Sequence, residues 1–284
     1  MRLQRIRPRP RGPWLFGSNG CFPIRWGPLL AIGVLSFAQP AQGRITRTRR
    51  TPSETWNPFA PFIIGGGVEF ERDSEQRQYD FPFLIEYNVS EQLKFSIEPN
   101  LVYIEGKTSD VNTVFGFGDL ETSVEYEFIP ERRYRPALTA EGVIKWPTST
   151  DEDIGDPGTD YSLGLIASKE LVFVDLDFNA LYTVVGDPDL RDTFETSLAA
   201  EWHLSRRVDL IAEFVHAIGT GGIRGRPGSI SGVGAPDSSG NETEGTLGFA
   251  WHANKFLKLE SGVVLKTGGV WQAVLAWEYS FGGD

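Results

Sequence analysis

The chain has 284 residues, 40% of them hydrophobic, and a formal net charge of −11. Such acidity argues against nucleic acid or anionic headgroups as partners, and the apolar content is too low for a bundle of membrane helices. The one cysteine, Cys21, lies near the N-terminus, so beyond it the chain can form no disulfide and no Cys-based metal or thiol site.

The first 43 residues stand apart from the rest. Arg2, Arg5, Arg7, Arg9, Arg11 and Arg25 occur there without a single acid, an apolar run follows from Trp26 to Ala38, and Ala41-Gln42-Gly43 supplies the small residues of a cleavage site. Residues 1–43 therefore read as a secretory signal peptide with a long basic leader. The apolar run is about 13 residues, short of the roughly 20 that a spanning helix needs, and Cys21 precedes that run, which speaks against a lipoprotein anchor. Losing six arginines and no acid takes the net charge from −11 to −17. Residues 44–61, basic and then rich in Pro and Trp, are expected to form a periplasmic N-terminal segment.

From residue 62 onward hydrophobicity alternates with a period of two. The predicted strands are 62–71, 79–89, 92–104, 115–128, 137–146, 160–168, 171–184, 193–204, 207–218, 244–252, 256–266 and 270–281. The clearest is 193–204: Phe194, Leu198, Ala200, Trp202 and Leu204 share one face, and Glu195, Ser197, Glu201 and His203 share the other. Phe115 and Phe117 are out of step with Leu120, Val124, Tyr126 and Phe128, which predicts a bulge near Gly118. Connections alternate between short ones, such as Ser90-Glu91 and Lys169-Glu170, and longer polar ones at 105–114, 147–159, 185–192 and 219–243. A soluble sandwich or lipocalin-like barrel also alternates. Here the apolar face carries aromatics at its strand ends and the opposite face is acidic. Both features predict an all-β fold: a transmembrane antiparallel up-and-down barrel of about 12 strands over 62–284, in a Gram-negative outer membrane.

The inward face would then hold Glu86, Glu98, Asp119, Glu121, Glu125, Glu127, Glu141, Asp175, Asp177, Glu195, Glu201, Asp209, Glu213, Glu260 and Glu278, against Lys94, Lys145, Lys258 and Lys266. A charged ring in a pore selects for the opposite sign. The expected function is passive passage of small aromatic or cationic solutes, with Glu121, Glu125, Glu141, Asp175, Asp177, Glu195 and Glu213 as lumen-lining selectivity candidates. The alternative is a closed barrel acting through its external loops, its interior charges paired across the lumen. The lysines are too few for that pairing unless arginines from loops or from the N-terminal segment fold in.

Several stretches, in order and spacing, resemble the outer-membrane barrels of the MetA-pathway of phenol degradation family. They are Gly116-Phe117-Gly118-Asp119-Leu120, Lys145-Trp146-Pro147-Thr148, Gly158-Thr159-Asp160-Tyr161-Ser162-Leu163-Gly164-Leu165 and Tyr182-Thr183-Val184-Val185-Gly186-Asp187. The resemblance covers roughly 62–281 and implies a transporter-like barrel with no chemical step. Where a Gly commonly follows the Pro-Thr pair, this chain has Ser149.

Other motifs are weaker. His203-Leu204-Ser205 has the His-x-Ser spacing of outer-membrane lipid hydrolases, but the position of their third partner is Ala217, which cannot orient an imidazole. His216 and His252 show no spacing suited to a metal. Asp151-Glu152-Asp153-Ile154-Gly155-Asp156 with Asp160 could attract Ca²⁺ yet lacks the twelve-position pattern. Gly116-Phe117-Gly118 precedes no helix, so no nucleotide site is expected. No catalytic residue, metal or cofactor is expected. The expected partners are outer-membrane lipid and lipopolysaccharide, small solutes, and the barrel-assembly machinery during biogenesis.

Overall fold

The computed structural model describes residues 46, 48–50, 60–72, 76–107, 112–151, 153–187, 190–220 and 241–282; the expected signal peptide, 1–43, lies outside them. Among the described residues, fourteen strand segments make one antiparallel sheet: β1 Phe62–Arg72, β2 Gln76–Ser90, β3 Leu93–Glu98, β4 Asn100–Gly106, β5 Val114–Phe117, β6 Leu120–Ile129, β7 Ala137–Trp146, β8 Asp160–Glu170, β9 Val174–Val184, β10 Asp192–His203, β11 Val208–Thr220, β12 Asn241–His252, β13 Leu257–Lys266 and β14 Val270–Phe281. The sheet closes because β1 pairs with both β14 and β2.

Two pairs of segments are single staves with a break. β3 and β4 lie end to end along β2, interrupted at Pro99, whose ring nitrogen carries no N–H for the ladder; its carbonyl still accepts from Phe83 N at 2.9 Å. β5 and β6 continue one another along that stave and part at Gly118-Asp119. The result is a closed barrel of twelve staves. The parity change expected near Gly118 is a two-residue interruption, and it lets Phe115 and Phe117 face outward together with Val124, Tyr126 and Phe128. The ninth segment starts at Val174, three residues later than predicted, because Leu171 N bonds Val174 O and closes a turn.

Burial is inverted relative to a soluble protein. The covered residues include Glu69, Glu86, Lys94, Glu125, Glu127, Glu244, Lys266 and Glu278, while Leu163, Leu198, Phe214, Leu247, Phe249 and Leu275 are exposed. Water would not tolerate so continuous an apolar exterior; lipid does. Leu, Val and Phe side chains fill the middle of the belt, and Tyr and Trp concentrate toward its two rims. At the long-loop rim Phe70 packs on Tyr79 and Trp271, with ring centroids 5.0 and 5.4 Å apart. At the short-turn rim Tyr279 meets Phe281 at 4.9 Å. These are the interfacial girdles of a membrane barrel, and its short turns face the periplasm. Among the described residues no helix is long and apolar enough to cross a membrane; strands do the crossing.

Candidate functional site

Strand registry places like charges opposite one another on the inner face. Glu125 is paired with Glu141 across β6–β7, Glu98 with Glu121 across β3–β6, and Asp175 with Glu201 across β9–β10. Directly opposed carboxylates repel, and in a narrow lumen they need cations. Lys94, fully buried, supplies one: its Nζ lies 2.9 Å from Glu125 Oε2 and 3.4 Å from Glu86 Oε1.

Further cations come from the N-terminal segment. Thr48, Arg49 and Arg50 run through the lumen. Arg49 reaches Glu98 at 3.0 Å, Glu141 at 2.9 Å and Glu125 at 3.5 Å, and donates to Ser123 Oγ at 2.9 Å. Arg50 reaches Asp177 at 3.1 Å, Asp175 at 3.3 Å and Glu201 at 3.4 Å. Each guanidinium therefore spans an opposed carboxylate pair, a task for which its planar fork of donors is suited. The backbone is held as well. Thr48 N and Oγ1 both donate to Glu213 Oε1, at 2.6 and 2.8 Å, and the Asn179 carboxamide, oriented by this network, pairs with Arg49 N and O at 2.8 and 2.9 Å.

The seven selectivity candidates thus divide. Glu125, Glu141, Asp175, Asp177 and Glu213 are all lumen-facing and all engaged by Thr48, Arg49 or Arg50. Glu121 stands opposite Lys145 and Glu98, and Glu195 lies in mid-β10 opposite Leu181 and Ala217; both are half-buried. Glu69, Glu71, Asp80, Glu242 and Glu244 join the inner acids. Beside the segment remains a small cavity of about 60 Å³, lined by Thr46, Arg50, Glu86, Glu201, Lys258, Glu260 and Glu278 among others.

At the outer mouth the 147–159 loop folds back over the opening. Lys145 binds Asp160 at 2.7 Å, Asp156 at 3.4 Å and Asp119 at 3.8 Å, which gives three of the acids here a resident cation. Ser149 N and Asp156 N donate to the two oxygens of Asp119, and Thr150 exchanges hydrogen bonds with the Phe117 backbone. Ile154 is buried against Val102, Ile104 and Val114. Gly158 touches the neighbouring loop: a Cβ there would lie 2.4 Å from Asp187 N and from Gly186 C. Gly158→Val is expected to cost about 1–3 kcal/mol, as overpacking does, and to speed protease cleavage of the external loops in proteoliposomes. Unchanged cleavage would show that the two loops do not hold each other.

The His203-Leu204-Ser205 triplet sits at the short-turn end. Ser205 Oγ accepts from Arg207 N and Val208 N and so caps the turn. His203 is directed at carboxylates instead: Nδ1 is 2.9 Å from Asp209 Oδ1 and Nε2 is 3.3 Å from Asp175 Oδ2. His252 Nε2 meets the other Asp209 oxygen at 2.6 Å, so the barrel brings together two histidines that lie far apart in sequence. His216 is separate and bonds Thr243 Oγ1 at 2.7 Å.

No known family profile matches the sequence, and no curated protein sequence matches it. Among solved structures, an outer membrane channel from Pseudomonas putida F1 aligns over 80% of this chain and 98% of its own, with TM-score 0.62 and 14% identity. The NanC porin aligns over 77% and 100%, with TM-score 0.55 and 8% identity. The KdgM porin, solved in complex with oligogalacturonate, aligns over 77% and 99%, with TM-score 0.52 and 9% identity. At these identities the likeness is one of fold: the chain has the architecture of bacterial outer-membrane channels and porins.

Proposed function

We propose that this chain is a porin-like channel of the outer membrane that passes small cationic solutes along an acidic lumen narrowed by its N-terminal segment. The observation that carries the reading is the excess of inward carboxylates that persists after Arg49, Arg50 and the inward lysines are counted. Membership of the MetA-pathway of phenol degradation family is part of the same proposal, supported by how its motifs converge: Gly116, Asp119, Lys145, Asp160 and Gly186 all belong to the outer-mouth assembly.

Neutralising Glu121, Asp175 and Glu195 together to Gln, Asn and Gln is expected to lower cation over anion permeability by roughly threefold. That is the factor given by about 0.7 kcal/mol of lost attraction in a watery pore. The measurement is the zero-current potential in planar bilayers under a salt gradient in chelator-treated buffer, and equal values for parent and variant would reject cation selection by these groups. A second reading, a closed barrel acting through its external loops, is favoured by the occupied lumen. It requires that single-channel recordings of the native chain show no steps.

A further inference from the structure

The geometry points to a binding site for a first-row divalent transition metal such as Zn²⁺ at the periplasmic mouth, held by Glu201, His203 and Asp209. The site stands whether or not the lumen conducts. Strand registry builds it: His203 ends β10, Asp209 lies opposite it in β11, and Glu201 is two residues back on the same inner face. Ligand atoms of the three lie within 4.8 Å of one another. His203 Nδ1 and Asp209 Oδ1 are 2.9 Å apart, close to the roughly 3.3 Å edge of a tetrahedron with metal–ligand bonds of about 2.0–2.1 Å.

Neutral imidazole has one N–H and one lone pair, yet both ring nitrogens of His203 face carboxylate oxygens. A second cation, proton or metal, must lie between one of the two nitrogens and its carboxylate, and the three-residue ligand cluster places a metal beside Asp209. With a metal there, Nδ1 offers its lone pair and Nε2–H is donated to Asp175. Asp209 binds through Oδ1 while Oδ2 accepts from His252 Nε2. Carboxylate-to-imidazole and imidazole-to-carboxylate contacts of this kind orient the ligands of protein metal sites. One imidazole with two carboxylates suits Zn²⁺ and its neighbours better than Mg²⁺ or Ca²⁺, which prefer all-oxygen shells. The His203 side chain is 37% exposed, so an ion can reach it. Glu201 also contacts Arg50, so the metal and the N-terminal segment compete for one carboxylate.

The test is calorimetric titration of Zn²⁺ into the untagged full-length chain in detergent at pH 7.5, with Cu²⁺ electron paramagnetic resonance alongside. One Zn²⁺ per chain is expected. His203→Gln should weaken binding at least about tenfold and His252→Gln by about tenfold, the usual loss for an orienting partner; Arg50→Ala should tighten it, and His216→Gln should leave it unchanged. Absence of saturable binding means that the cluster holds a proton only, and it overturns the proposal. So does equal affinity in the parent and in folded His203→Gln, folding being judged by heat-modifiable gel mobility. If that variant does not fold, the Cu²⁺ spectrum of the His216→Gln chain decides: nitrogen coupling supports the site and an all-oxygen signature rejects it.

Discussion

Replacing Arg49 and Arg50 together with alanine is expected to raise single-channel conductance and to lower the stability of the barrel by about 3 kcal/mol. The conductance rises because two guanidinium side chains leave the lumen. Stability falls because Glu98, Glu125 and Glu141 lose one shared cation and Asp175, Asp177 and Glu201 another. Stripping one partner from a buried ion pair typically costs 3–5 kcal/mol; the lower figure applies because Arg50 is partly wetted and carboxylates can take up protons. The loss is non-additive with its cause: in the Arg49→Ala background, Glu141→Gln should recover part of the stability, whereas in the parent it should not stabilise. Urea unfolding in lipid vesicles measures the second effect and bilayer recording the first. If neither moves, the arginines are bystanders in the lumen.

The second large effect concerns the outer face. Leu247 lies in the middle of β12 and is 60% exposed. In a soluble protein an arginine at such a surface position changes stability by no more than about 0.5 kcal/mol. Facing the bilayer midplane it costs about 2–4 kcal/mol. Leu247→Arg is therefore expected to fold slowly and incompletely into vesicles, with an unfolding free energy lower by that amount. An arginine tolerated there would mean that Leu247 faces water, and the membrane orientation of every stave would have to be given up.

Much of this architecture is legible in the residues because a membrane barrel writes its two environments into alternate positions. Phe194, Leu198 and Trp202 against Glu195, Ser197 and Glu201 announce both the strand and its lipid face. The turn residues Ser90, Ser205 and Asn254 mark where strands reverse, and each caps its turn through its side-chain oxygen. Pro99 was absorbed silently into a predicted strand, since an interruption that leaves the neighbouring register intact leaves no trace in the alternation.

The lumen was less legible. That its inner wall is acidic follows from alternation alone; which acids oppose each other follows only from registry, a property of two strands at once. Arg49 and Arg50 belong to the stretch expected to be a periplasmic segment, yet they are an adjacent basic pair ahead of an acidic barrel. Once Glu125 and Glu141 are set side by side, the demand for such a pair is plain. His203, Asp209 and His252 show the same limit: no linear spacing connects them, and two hairpin registers do.

The reach of the N-terminal contacts has a consequence for biogenesis. Arg50 grips Glu201 across 151 residues of chain, and Arg49 grips Glu98 across 49. Contacts so distant in sequence carry a loop-closure cost before they stabilise anything, so the two arginines gain their full set of partners only when both walls are paired. Until then the acidic staves repel one another and the arginines stay solvated. Closure of the wall and seating of residues 48–50 are therefore expected to be coupled, because each neutralises charge that the other would leave exposed.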